Sequence, residues 1–189
     1  MRIILGSGSK QRKKILERMG VEFEVMVSHI DEKGIRHEDP RKLTLALAKA
    51  KADALLPHIA DPALLITADQ VVVCTGKIFE KPANADEARQ FLQAYGTHPA
   101  ETVNGVAVTN TKTGNQRVEN ETSRVYFKHI PEAVIERLIQ EGNVFSQAGA
   151  FSIDDPLFFP YIDKVEGSRE SVEGLPIKLL EHLMKEVSS

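Results

Sequence analysis

The sequence has one cysteine, no excess of positive charge and no long hydrophobic run. The lone cysteine, Cys74, cannot form an internal disulfide, which fits a reducing compartment. The net charge of −3 offers no basic field for duplex nucleic acid. The apolar runs fall short of the roughly 20 residues that cross a bilayer, and the N-terminus is too polar for a signal peptide. We therefore expect a cytoplasmic protein whose partners include neither a membrane nor duplex nucleic acid.

Several motifs that often identify a catalytic site are also missing. The six histidines are scattered and form no zinc-ligand spacing with the single cysteine. The chain has no Gly-x-Ser-x-Gly segment for a nucleophilic serine. It also lacks the P-loop and the Gly-x-Gly-x-x-Gly dinucleotide motif. A serine nucleophile with a histidine base stays open, but nothing in the spacing favours it.

Strand-like and helix-like segments alternate along a chain of 189 residues, long enough to bury a core. This alternation, with a hairpin in the middle, predicts an α/β fold: a mixed twisted sheet flanked by helices, with two lobes around a cleft, in a single domain over 1–189. The predicted strands cover 2–6, 21–27, 64–74, 77–79, 101–110 and 116–127, with short strands or loops at 148–153 and 161–165. The predicted helices cover 10–19 and 40–57, and others begin near residues 84, 131 and 176.

The N-terminal strand runs directly into the turn Gly6-Ser7-Gly8-Ser9, and a basic helix follows. Backbone N–H groups in a turn of small residues, together with the positive end of a helix, can hold an oxyanion. Ser7, Ser9 and Arg12 add hydroxyl donors and positive charge. The alternative is an ordinary glycine turn with a serine helix cap. The pattern thus predicts a phosphate-binding turn, with that alternative open.

Charged residues at four other places interrupt apolar or small-residue segments. Asp69 lies inside an apolar strand pattern, where a carboxylate is costly unless it is paired or binds a metal. Each of the others fits a solvated surface residue when taken alone: Lys81 before Pro82, Lys49 and Lys51 among helical alanines, and the pair Asp31-Glu32. Together with the turn, this set provides what hydrolysis of a magnesium-bound polyphosphate requires.

The order of these motifs resembles that of the Maf family of nucleoside triphosphate pyrophosphatases over essentially the whole chain. Each fragment is short, but the ordered series is specific. The chain departs from the family pattern at Lys10 and Gln11, which replace a proline and an arginine, and at Glu80, which replaces a glycine. The matching segments are residues 5–12, 31–32, 48–52, 67–70, 80–82, 148–150 and 174–176.

The resemblance implies cleavage between the α- and β-phosphates of a nucleoside triphosphate, giving a monophosphate and pyrophosphate, with Mg²⁺ or Mn²⁺ as cofactor. It implies that Asp69 accepts the proton and that Glu32 and Asp69 bind the metal. It also implies that Lys49, Lys81, Arg12, Ser7 and Ser9 bind the phosphates, with the two lysines counted among the catalytic residues. A homodimer is compatible with the resemblance.

Three positions that differ between branches of the family correspond to Gln11, Gln70 and Asp154, which we take as substrate-binding residues. Pyrimidine-preferring members usually carry arginine, threonine and glutamine there. A carboxylate such as that of Asp154 only accepts hydrogen bonds, and guanine presents adjacent N1–H and N2–H₂ donors. These residues favour 7-methyl-GTP as substrate, with UTP and dTTP as alternatives.

Two other functions stay open at this point. Glu80 and the altered turn are compatible with a nucleotide-binding regulatory module whose catalysis is weak or lost. Within the enzymes, an ITP/XTP-type pyrophosphatase would use a similar set of charges on a different base. Metal-dependent turnover separates the first alternative from our prediction, and nucleotide preference separates the second.

Overall fold

In its described part, residues 1–188, the computed structural model contains a seven-stranded sheet and six α-helices. Strands and helices follow the predicted alternation, with short 3₁₀ turns between several of them. The strands are β1 (Arg2–Leu5), β2 (Glu24–Val25), β3 (Ala63–Cys74), β4 (Lys77–Phe79), β5 (Ala100–Asn110), β6 (Gln116–Phe127) and β7 (Ile162–Glu166). The helices are α1 (Lys10–Arg18), α2 (Pro40–Leu55), α3 (Ala85–Ala94), α4 (Glu132–Glu141), α5 (Arg169–Glu173) and α6 (Ile177–Ser188).

The sheet has the order β2-β1-β3-β5-β6-β7, and β4 pairs with β3. β1 runs parallel to β2 and to β3, with Leu5 opposite Ile66. β4 runs antiparallel to β3, and β7 runs antiparallel to β6. The prediction of a mixed sheet in an α/β fold is therefore confirmed.

Local sequence explains where helices begin. Asp39 caps α2 by accepting a hydrogen bond from the N–H of Arg41, and Pro40 occupies the first helical position. Asn84 caps α3 in the same way, accepting from the N–H of Glu87 at 2.9 Å. The Glu87 carboxylate in turn accepts from the N–H of Ala83 at 2.6 Å. The helix start predicted near residue 84 is therefore confirmed, and Asn84 and Glu87 form a reciprocal capping pair there.

The chain divides into two compact units. The first unit comprises Met1–Asp69, Asn104–Glu121 and the segment from Gly174 onward. Ile4 and Leu5 alternate along β1 and enter two different aliphatic clusters, so this part of the sheet is covered on both faces. The cluster around Leu5 includes residues of α1, β5 and α6, and the cluster around Ile4 includes residues of α2 and β3.

The second unit comprises Gln70–Val103 and Thr122–Glu173. Its single buried cluster is rich in aromatic rings, with Phe79 stacked on Phe91 at a centroid distance of 4.0 Å. Tyr95 is 1% exposed and packs against Phe127 and Phe151. Offset and edge-on ring pairs of this kind add to the free energy gained from area burial. The single domain and the cleft stay predictions.

Two segments differ from the sequence-based expectation. The strand predicted over 21–27 is reduced to Glu24–Val25, since only these two residues pair with β1. Val25 and Val27 are 40% and 47% exposed. The short helix α5 was not predicted, since its five residues carry too little periodicity. None of the helices within residues 1–188 is long and apolar enough to cross a membrane.

Candidate functional site

The centre of the candidate site is an ion pair between α2 and β3. Lys51 Nζ donates a hydrogen bond to Asp69 Oδ1 at 2.6 Å, and both side chains are about 90% buried. The same ammonium contacts Glu32 Oε1 at 3.0 Å. Glu32 opens a short 3₁₀ turn, and its side chain is 54% exposed. One lysine therefore bridges two carboxylates that the sequence predicted to act together.

Close packing of α2 against the sheet fixes the position of Lys51. The Thr67 hydroxyl on β3 donates to the Ala48 carbonyl of α2 at 2.7 Å. At Gly105 on β5, a Cβ atom would lie 2.3 Å from the Thr44 carbonyl oxygen, so only glycine allows this approach. Because backbone lies against backbone here, a lysine on the inner face of α2 extends along the sheet to Asp69.

Lys51, and not Lys49, is the lysine that reaches the two carboxylates. Lys49 Nζ contacts Asp53 at 2.5 Å on an outer face of α2, and both side chains are about half exposed. The sequence contains a signal that would have found Lys51. It continues the four-residue spacing of Leu43, Leu47 and Leu55, which all lie on the buried face of the helix.

The Ser-Gly-Ser turn leads from β1 into α1. The N–H of Gly6 donates to the Ile66 carbonyl at 2.7 Å, and a Cβ atom at Gly6 would lie 2.5 Å from Thr67 Cγ2. The Ser9 side chain caps α1 by accepting from the N–H of Arg12. Ser7 is buried, and its hydroxyl accepts from the N–H of Ser9 at 3.3 Å. The serine cap, which the sequence analysis kept open as the alternative, is therefore present, and anion binding by this turn stays a prediction.

Arg12 connects this turn to the neighbourhood of Asp69. Its Nη1 group donates to the Ala68 carbonyl at 2.8 Å and to the Ser7 hydroxyl at 3.2 Å. Its Nε group donates to the Gly174 carbonyl at 2.9 Å. Burial lowers the pKa of the Arg12 guanidinium, and the negative charges of Asp69 and Glu32 oppose that shift. Arg12 is therefore a second cation beside the two carboxylates.

The remaining predicted residues have other surroundings. Gln11 is exposed and accepts a long hydrogen bond, 3.4 Å, from the Ser9 hydroxyl. In the second unit, the Gln70 amide donates to the Ser171 and Val172 carbonyls at 3.1 and 3.0 Å. Lys81 lies in an exposed bend.

Asp154, also in the second unit, is held by an arginine that the sequence analysis did not consider. Arg169 donates to Asp154 through its Nη2 group and to Glu173 Oε1 at 2.7 Å through its Nε group. The side chains of Arg169 and Asp154 are both about half exposed. The carboxylate proposed to read the base is thus already paired in this structure.

The family model for Maf-like proteins matches residues 2–187. The chain belongs to this family. A relative named 7-methyl-GTP pyrophosphatase, from Dictyostelium discoideum, is 39% identical, and the alignment covers 98% of this chain and 97% of that protein. A relative named dTTP/UTP pyrophosphatase, from Alkaliphilus metalliredigens, is 36% identical, with coverage of 97% and 95%. The resemblance stated from the motifs is therefore confirmed.

A solved structure titled nucleoside-triphosphatase or dITP/XTP pyrophosphatase, from Mycobacterium abscessus, shows a weaker similarity. It is 13% identical with a TM-score of 0.44, and the alignment covers 100% of this chain and 96% of that one. A similarity of this size carries no argument about the function of this protein. The roles of the individual site residues stay predictions.

Proposed function

We propose that this protein hydrolyses a nucleoside triphosphate between the α- and β-phosphates, releasing a nucleoside monophosphate and pyrophosphate, and that it uses a divalent metal. The observation that carries the proposal is the buried Lys51–Asp69 pair with Glu32 and Arg12 beside it, in a Maf-like chain. The predicted enzyme class, a hydrolase of acid anhydrides, is confirmed by the names of the relatives.

The start of α1 would bind the phosphates. The first turn of this helix contains no acidic residue, so no carboxylate there repels an anion. The helix N-terminus, the Ser7 and Ser9 hydroxyls and the Arg12 guanidinium all lie within this short stretch. Lys81 stays a predicted phosphate ligand from the second unit.

The residues present fit a divalent metal of the magnesium type. Glu32 and Asp69 already share one cation, the Lys51 ammonium, so both carboxylates point to a common place. Mg²⁺ is usually held by one or two carboxylates, with substrate phosphates and water as further ligands. Within the described part of the chain, no group of three or more His, Cys, Asp or Glu side chains is arranged to hold a metal. Because they share the Lys51 ammonium, Glu32 and Asp69 are the residues that would hold the metal.

Asp69 would act as the general base. It accepts a proton from a water molecule whose oxygen bonds to the α-phosphorus, while the bond from that phosphorus to the α–β bridging oxygen breaks. Pyrophosphate leaves with the electron pair of that bond. Lys51 and Arg12 neutralise the charge that develops on phosphate oxygens. A bound metal would add neutralisation and lower the pKa of a bound water.

For the base, we propose 7-methyl-GTP as the preferred substrate. Asp154 offers acceptors only, which suits the N1–H and N2–H₂ donors of guanine, and the positive charge of the methylated ring adds attraction. The relative from Dictyostelium carries that name, while the one from Alkaliphilus is named for dTTP and UTP. Because Asp154 is paired with Arg169, the base must compete with the arginine for the Asp154 carboxylate.

The test is a panel of 7-methyl-GTP, GTP, UTP, dTTP and ITP, each with Mg²⁺, Mn²⁺ or EDTA. We expect monophosphate and pyrophosphate, fastest with 7-methyl-GTP, and no turnover with EDTA. Reaction in H₂¹⁸O should place the label in the monophosphate. Orthophosphate as the only phosphate product would refute the bond assignment, and fastest turnover of ITP would favour the ITP/XTP type.

Binding of a nucleotide without turnover under either metal would instead favour the regulatory module. That outcome would have to hold for every nucleotide of the panel, because a poor substrate also binds without rapid turnover. The cytoplasm and the homodimer stay expectations of the sequence analysis. Sedimentation of the purified protein would test the homodimer directly.

A further inference from the structure

We propose that the Lys51 ammonium occupies the cation position between Asp69 and Glu32 until substrate arrives, so that the divalent metal enters together with the nucleotide and not before it. This inference rests on the proposed function, because it concerns the order in which metal and nucleotide bind. It assigns Lys51 a role in excluding free metal, in addition to a role in binding phosphate.

The geometry supports direct competition between the ammonium and a metal. Lys51 Nζ lies 2.6 Å from Asp69 Oδ1 and 3.0 Å from Glu32 Oε1. A magnesium ion needs carboxylate oxygens at about 2.0–2.1 Å, so it cannot share them with an ammonium in the same place. The Lys51 side chain is 10% exposed, and it is therefore a tethered, largely enclosed cation that a dissolved ion must displace.

The balance of charge favours the same order. Lys51 and Arg12 already compensate Asp69 and Glu32, since the two carboxylates act on the half-buried Arg12 guanidinium. A free dication would bring surplus positive charge beside the buried Lys51–Asp69 pair, which is unfavourable. A triphosphate brings the negative charge that offsets both the metal and the displaced ammonium. The flexible stem of Lys51 allows its ammonium to move onto phosphate oxygens.

Lys49 provides a matched control on the same helix. It lies two residues from Lys51 and is also paired with a carboxylate, that of Asp53 at 2.5 Å. Its side chain is 55% exposed and contacts neither Asp69 nor Glu32 among the ion pairs of the described residues. Removing the Lys49 ammonium changes the total charge by the same amount and leaves the bridge of Lys51 in place.

The experiment measures Mn²⁺ binding to the nucleotide-free protein by the loss of the free-ion electron paramagnetic resonance signal. We expect Lys51→Met to bind Mn²⁺ at least about tenfold more tightly than the wild type does. Lys49→Met should bind as the wild type does. Equal Mn²⁺ affinity of Lys51→Met and the wild type would overturn the inference, as would an equal gain in Lys49→Met.

Removal of one partner from a buried ion pair can unfold a protein, so circular dichroism must first show that Lys51→Met is folded. A second measurement needs no variant. The wild type should bind Mn²⁺ at least tenfold more tightly when an α,β-methylene nucleoside triphosphate is present, after binding of the metal to the free analogue is subtracted. If the wild type bound Mn²⁺ as tightly without the analogue as with it, the inference would be overturned. Turnover is measured separately, so failure of the proposed hydrolysis remains distinguishable from failure of this order of binding.

Discussion

The two units place their charged candidate residues in different surroundings. In the first unit, the Lys51–Asp69 pair is about 90% buried and rests on close packing between α2 and the sheet. In the second unit, the Arg169–Asp154 pair is about half exposed, and Lys81 lies in an exposed bend. Buried pairs depend on fixed geometry, whereas exposed pairs exchange readily with water. We infer that the rate of the reaction depends mainly on the first unit, and nucleotide preference on the second.

The boundary between the units falls within β3, between Asp69 and Gln70. Successive side chains of a strand point to opposite faces. Asp69 accordingly reaches Lys51 of α2, while the Gln70 amide reaches the carbonyls of Ser171 and Val172 in α5. Asp69 therefore makes its side-chain contact within the first unit and Gln70 within the second. This makes paired substitutions in the two units informative.

The largest expected effect comes from Asp69→Asn. Asparagine keeps the shape and accepts a hydrogen bond from Lys51, but it cannot accept the proton from water, so we expect kcat to fall about 1,000-fold. Asp154→Asn in the second unit is the matched substitution and should lower kcat by at most about tenfold while changing the ratio of 7-methyl-GTP to UTP turnover. Pyrophosphate release measures both. Similar losses of kcat in the two variants would contradict the comparison.

A smaller effect is expected when the two lysines of α2 are compared. Lys51→Met removes the ammonium that contacts Asp69 and Glu32, and we expect activity to fall about 100-fold. Lys49→Met removes a half-exposed pair with Asp53 and should cost at most about fivefold. Initial rates at saturating nucleotide and metal decide between them. If Lys49→Met lowered activity more than Lys51→Met, the sequence-based prediction that Lys49 binds phosphate would be favoured over the assignment of that role to Lys51.

Much of the fold could be predicted because its signals are local. The caps at Asp39 and Asn84 mark the starts of α2 and α3 through side-chain hydrogen bonds within four residues. The predicted hairpin corresponds to β5 and β6, and Gly114 in its turn has a φ of +76° that suits glycine. The length of β2 was overestimated because an alternating apolar pattern does not show how many of its residues pair with a neighbouring strand.

The site could be predicted only in part. Asp69 was recognisable because a carboxylate inside an apolar strand needs a partner. Its partner was missed, although the four-residue spacing of Leu43, Leu47 and Leu55 places Lys51, and not Lys49, on the apolar face of α2. The contact of Arg12 with the Gly174 carbonyl joins residues 162 positions apart, and no local pattern encodes it. The pairing of Arg169 with Asp154 depends in the same way on tertiary structure.

The smallest expected effect concerns stability in the second unit and does not require activity. The Tyr95 hydroxyl is buried and donates to the Gly149 carbonyl at 2.7 Å. Tyr95→Phe keeps the ring packing but leaves that carbonyl without its donor, so we expect a loss of about 1–2 kcal/mol in the free energy of unfolding by urea. Tyr126→Phe is the control, because its hydrogen bond to Glu166 is only partly buried, and it should cost less than about 0.5 kcal/mol.

The pH dependence sharpens this last test. Burial raises the pKa of Tyr95 well above its ordinary value near 10, so above about pH 10 the unfolded chain releases a proton that the folded chain retains. The contribution of Tyr95 to the free energy of unfolding is therefore fully present below about pH 10 and declines above it. The decline should be shallower in Tyr95→Phe than in Tyr126→Phe. Equal slopes in the two variants would mean that the Tyr95 hydroxyl is not held inside the aromatic cluster. They would also contradict the contrast between the packed core of the second unit and its exposed candidate residues.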